Sequence, residues 1–175
     1  RNLKSVGIDL ATHVESGVLQ IRSTRPAAYG LEAHLASILH DIEQFDPELV
    51  VIDPISAFGG DDKPNAMLIR LIDYLKSRQV TAVCTSLTTF TAAATGMGVS
   101  SVIDAWLNLA AVESNGERNR TVTIMKARGT GHSNQVREFL ITSEGIQILD
   151  VYRGAGNVLM GTARQEATLA DADTA

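Results

Sequence analysis

At 175 residues, with 45% hydrophobic and 20% charged residues, the chain has ordinary globular composition and enough length for one sizeable core. A formal net charge of −5 and a pI near 5.3 argue against a broad electrostatic grip on nucleic acid or an anionic membrane. Cys84 is the single cysteine, which excludes an internal disulfide framework and fits a reducing cytoplasm. No secretory leader and no apolar run of about 18 residues is read in the chain, so a soluble protein is expected.

Arg1 opens without an initiator Met and with helical spacing at Leu3, Val6 and Gly7, as expected for a segment of something longer. Val18 to Ser23 reads as a short strand, followed by a connection through Pro26 and Gly30. From Leu31 to Phe45 apolar residues recur at three and four, which predicts an amphipathic helix stopped by Pro47. Leu49 to Ile52 then run without a polar break to Asp53, the pattern of a strand buried on both faces. Pro64 suits a helix's first turn, and Met67, Leu68, Leu71, Ile72 and Leu75 continue that helix to a second strand, Val80 to Thr85. Two helix and strand pairs in succession predict a parallel sheet. Thr85 to Gly98, rich in Thr, Ala and Gly, reads as a loop at the carboxyl edge of that sheet. Beyond it Ala105–Glu113, Thr121–Arg128, Val136–Thr142 and Ile146–Val151 read as hairpin strands, with turn signals at Asn115-Gly116 and Glu144-Gly145. Ala167 to Ala175 reads as a frayed tail.

Two places carry chemistry. Asp53 emerges where a buried strand ends, the position from which a carboxylate holds a hydrated magnesium on a nucleotide; the same pattern also describes a turn cap ahead of Pro54. Lys126 and Arg128, two apart on a strand and followed by Gly129 and Gly131, form a cationic fork suited to phosphate oxygens, although Lys and Arg also blunt exposed sheet edges. His132, between Gly131 and Ser133, reads as a turn residue rather than a base.

The order VVIDPIS, TSLT, GVSSVIDAW, MKARGTGHSNQVREF and GNVLMGTAR resembles the RecA-like ATPase domains of the KaiC family over about Arg1 to Arg164. The resemblance implies an α/β fold, a RecA-like, mostly parallel sheet flanked by helices and extended by antiparallel hairpin strands. Residues 1–156 are then the C-terminal portion of one such domain and 157–175 a partly disordered tail. It also implies ATP with magnesium as ligands, and a homo-oligomeric ring, a hexamer, with nucleotide between neighbours. Asp53 takes the Walker B place beside magnesium and Ser86 a place at the nucleotide. Lys126 and Arg128 reach the γ-phosphate held by the adjacent subunit, and signalling proteins are the expected partners.

Two family parts have no counterpart here: neither GxxxxGK[ST] nor a Glu-Glu pair occurs in these residues, so the chain alone is expected to be inactive. Ser100 and Ser101 occupy the place where family members carry an autophosphorylated pair; they serve equally as caps of a short helix expected over Val102 to Trp106. A recombinase of the RadA type calls for a basic DNA-facing loop, and Thr88 to Gly98 contains no Lys or Arg. A non-catalytic interaction module of the same fold is the other alternative, disfavoured by the presence of Asp53, Lys126 and Arg128.

Overall fold

The structure, a computed structural model, describes residues 2–23, 30–58, 64–87, 101–114, 116–151 and 160–173. In chain order these form a 3-10 turn Asn2–Val6, α1 (Ala11–Glu15), α2 (Leu31–Phe45), β1 (Leu49–Ile52), a 3-10 turn Ile55–Phe58, α3 (Pro64–Ser77), β2 (Thr81–Cys84), β3 (Ala105–Ser114), β4 (Glu117–Ala127), β5 (Arg137–Thr142), β6 (Gly145–Ile148) and α4 (Gly161–Asp173). They divide into two units, Gly17–Ile103 on the one hand and Arg1–Ser16 with Asp104–Ala175 on the other.

In the first unit the helical spacing of α2 and α3 brings Ile42, Leu71 and Leu75 into a buried cluster, onto which Leu35, Ile38, Leu39, Val50, Ile52, Tyr74 and Val80 pack. Full burial of a Leu or Ile, as at Leu71 and Leu75, contributes about 1.5–3 kcal/mol by leaving water. α2 ends on Asp46 in the left-handed region, φ 49°, whose N–H donates to the Ile42 carbonyl at 2.9 Å. The Asp46 carboxylate in turn takes Arg78 Nη2 at 2.7 Å, joining the ends of α2 and α3. β1 and β2 pair in parallel, Leu49 opposite Thr81 through Ile52 opposite Cys84, as the alternation of helices and strands predicts.

β1 departs from expectation in its burial. Val50 and Ile52 face the helices, but Leu49 and Val51 are 54% and 61% exposed, and Val83 on β2 is 47% exposed. A strand's side chains alternate between faces, and the helices α2 and α3 pack on the side of Val50 and Ile52. Val18 to Ser23 likewise forms no strand: Val18 and Ile21 are exposed and the segment adopts no regular structure.

The second unit is an antiparallel meander, β3-β4-β5-β6. β3 and β4 close on a two-residue turn between Ser114 and Glu117, with Gly116 at φ 79°. One irregularity matters for the site: Trp106 pairs with Lys126 but Leu107 with Ile124, so Met125 is an extra residue, a β-bulge. Ala105 and Trp106 belong to β3, which corrects the short helix expected over Val102 to Trp106; pairing with Ala127 and Lys126 of β4 holds them extended. The tail expected to fray from Ala167 is helical to Asp173, where Ala, Gln, Glu and Leu supply good helix propensity. Its start is seated on the sheet: Gly161 N–H donates to both Glu138 carboxylate oxygens at 3.2 and 3.3 Å, and Thr162 N–H to Glu117 Oε2 at 3.1 Å. Two carboxylates thus meet a helix N-terminus, where the dipole favours negative charge.

Candidate nucleotide site

The parallel register of β1 and β2 puts Asp53 and Thr85 side by side just past the strand ends. Backbone bonds extend the pairing beyond the ladder: Thr85 N–H donates to the Ile52 carbonyl at 3.0 Å and Ile55 N–H to the Thr85 carbonyl at 2.8 Å. The Thr85 hydroxyl donates to Asp53 Oδ1, and Leu87 N–H to Ser56 Oγ at 3.1 Å. Asp53 is exposed, so its carboxylate is both fixed in direction and open to solvent. Ser86 follows Thr85 and is exposed at the same edge. A single carboxylate beside hydroxyls is a hard oxygen set, which fits a magnesium ion contacted through its own water shell. The half-buried Cys84 lies one residue away, and burial pushes its thiol pKa up.

Lys126 and Arg128 stand at the open end of the β3-β4 hairpin. Up to Ile124, even-numbered residues of β4 share a face with Leu107 and Leu109; the bulge at Met125 turns Lys126 onto the opposite face, directly across from Trp106. The pairing continues one step beyond the strand, where Arg128 N–H donates to the Asp104 carbonyl at 2.8 Å and Arg128 Nη1 lies 3.6 Å from Asp104 Oδ1. Lys126 and Arg128 therefore do project from one side, together with Trp106 and Asp104. The two apart spacing made the shared side legible, but which face they occupy depends on the bulge. An exposed ion pair of this kind is worth about 0–1 kcal/mol.

Of the other sequence-derived sites, Ser101 is exposed in a turn that leads through Val102 and Ile103 to Asp104, while Ser100 lies outside the described residues, as do Thr88 to Gly98. Asp53, Ser86 and Ser101 belong to the Gly17–Ile103 unit; Lys126 and Arg128 belong to the other. His132 is exposed in an irregular segment, next to Thr130, Gly131 and Ser133. Two residues carry no local sequence signal: Thr85, because the register that brings it to Asp53 is a property of the sheet, and Lys76, whose ammonium donates to the Val102 carbonyl at 2.7 Å. Among the described residues no helix is long and apolar enough to cross a membrane.

Comparison with known proteins identifies the family. A family model described as "ATPase: KaiC" matches residues 1–152. Circadian clock protein KaiC2 of Synechocystis sp. (strain ATCC 27184 / PCC 6803 / Kazusa) is 44% identical over 171 residues, covering 94% of this chain and 30% of the relative. Circadian clock oscillator protein KaiC of Thermostichus vulcanus is 33% identical over 168 residues, covering 93% of this chain and 32% of the relative. The chain thus spans about a third of the length of these relatives. With a family model matching most of its length and relatives at 33% and 44% identity, the chain belongs to the KaiC family of ATPases.

Proposed function

We propose that this chain is the C-terminal portion of one RecA-like domain in a longer, ATP-hydrolysing ring protein that works in signalling or circadian-type regulation in the cytoplasm. The observation that carries the reading is the Asp53 carboxylate, oriented by Thr85 at the carboxyl ends of two parallel strands in a KaiC-family chain. The exposed apolar side chains Leu49, Val51 and Val83 support the larger domain, since a parallel sheet is ordinarily covered on both faces.

In this reading Asp53 holds the water shell of a magnesium ion on ATP, and Ser86 lies beside the nucleotide. Magnesium, when bound, draws negative charge from the phosphate oxygens. Lys126 and Arg128 reach the γ-phosphate held by the adjacent subunit of a hexamer, Arg128 releasing Asp104 to do so. Ser100 and Ser101 are the phosphoacceptors of a Ser/Thr autokinase. The serine oxygen bonds the terminal phosphorus as the bond to the bridging oxygen breaks, ADP leaves, and the hydroxyl proton passes to water.

The test is made in the full-length protein incubated with magnesium and ATP. ATP hydrolysis, a ring by analytical ultracentrifugation, and phosphate at Ser100 or Ser101 by phosphopeptide mass spectrometry are expected. Hydrolysis with both serines unmodified leaves a plain ATPase; no hydrolysis at all sinks the reading.

A further inference from the structure

The segment that carries Ser101 is held from an unexpected place. Lys76, in the last turn of α3, donates its ammonium to the Val102 carbonyl at 2.7 Å, across 26 residues of sequence. Its neighbour Leu75 is 1% exposed and Leu71 2%, so Lys76 projects from the most firmly packed part of its unit while its own head group stays exposed. A cation at a helix C-terminus ordinarily sits over its own last carbonyls. Here it reaches a carbonyl one residue beyond an exposed serine. Two residues further along, Asp104 is engaged by Arg128 through both its carbonyl and its carboxylate. Val102 is thus fastened to a cation of α3, whereas Asp104 is held chiefly by the backbone N–H of Arg128.

The geometry points to Lys76 as a positioning residue for phosphoryl transfer to Ser101. It fixes the backbone beside the acceptor hydroxyl before transfer, and the carbonyl it holds is one residue from the serine that would carry the new phosphate. A phosphoserine brings about −1.5 to −2 charges and strong acceptor oxygens, and these compete with a neutral carbonyl for the same ammonium. Phosphorylation then exchanges Lys76 from the Val102 carbonyl to the phosphate. This role rests on the acceptor reading of Ser101, whereas the anchoring of Val102 does not.

The experiment uses full-length protein with Lys76→Met and Lys76→Arg. In hydrogen exchange without nucleotide, K76M is expected to speed exchange of the amides from 101 to 103 about tenfold, with α3 unchanged, as loss of one charge-assisted hydrogen bond implies. With magnesium and ATP, phosphate at Ser101 per ATP hydrolysed is expected to fall about tenfold in K76M and to recover in K76R, a ratio that general loss of folded protein does not move. Unchanged exchange in K76M overturns the anchoring. Faster exchange with an unaltered phosphate ratio overturns the positioning role. A wild type with no phosphate at Ser101 removes the acceptor reading and with it the transfer role, and the exchange result then decides the anchoring by itself.

Discussion

Thr85 and Asp53 meet hydroxyl to carboxylate across the carboxyl ends of two neighbouring parallel strands. The bond does for Asp53 what an outer-shell partner does for a metal ligand: it fixes which oxygen faces outward. In the full-length protein, Asp53→Asn is expected to lower ATP turnover on the order of 100-fold, since the charge itself is lost. Thr85→Val keeps the charge and frees its direction. It is expected to raise the magnesium needed for half-maximal turnover about tenfold, with Thr85→Ser restoring it. A magnesium titration of steady-state hydrolysis checks both, and an unshifted T85V curve would show that Asp53 needs no partner.

Much of this was legible from residues alone, and the failures share a cause. α2, α3, β1 and the β3-β4 turn follow from periodicity and turn chemistry, which are local. Asp53 and the shared side of Lys126 and Arg128 follow from position on a strand, also local. Burial of β1 on both faces did not hold, because burial belongs to whatever covers a strand: Val50 and Ile52 have α2 and α3 against them while Leu49 and Val51 stay exposed. The bulge at Met125, the Thr85 bond to Asp53 and the reach of Lys76 to Val102 all depend on register or on packing between distant segments. No periodicity announces them. The helix α4 differs, since a small and polar composition suits a frayed end while the alanines within it favour a helix.

Gly161 offers a test of how α4 is seated. Its φ is 61°, and a Cβ there would collide with Glu117 Oε2 and stand 3.0 Å from the Asn119 amide atoms. Gly161→Ala therefore combines a left-handed backbone, about 1–2 kcal/mol for a residue with a Cβ, with displacement of a carboxylate that holds the helix start. The first turns of α4 are expected to exchange their amides at least tenfold faster, with β3 and β4 unaffected. Protection equal to wild type would mean that the helix start does not rest on Glu117.

The 175-residue chain by itself contains no GxxxxGK[ST] sequence, and phosphoryl transfer depends on positioning and electrostatic clamping by such a loop. Isothermal titration of this purified polypeptide with magnesium and ATP is expected to show no micromolar binding. A clear micromolar isotherm would mean that Asp53 and its neighbours form a nucleotide site without the loop, and would overturn the division of labour proposed above.

Lys126 and Arg128 share one face of the hairpin with Trp106 and Asp104, and the bulge at Met125 puts them there. If they serve a neighbour's nucleotide, the loss caused by Arg128→Ala is repairable by another subunit, whereas a structural loss is not. A charge-stabilising arginine of this kind is worth about a thousandfold or more in turnover, so R128A rings are expected to be nearly silent. Rings whose phosphate loop is disabled are expected to be equally silent. Mixing the two creates interfaces that pair an intact loop with an intact Arg128, and activity is expected to rise well above either parent as the ratio approaches one to one. Exposure of Arg128, and the small worth of its pair with Asp104, mean that R128A leaves the hairpin folded, which circular dichroism of the variant checks. Mixed rings no more active than their parents would place Lys126 and Arg128 outside the shared site.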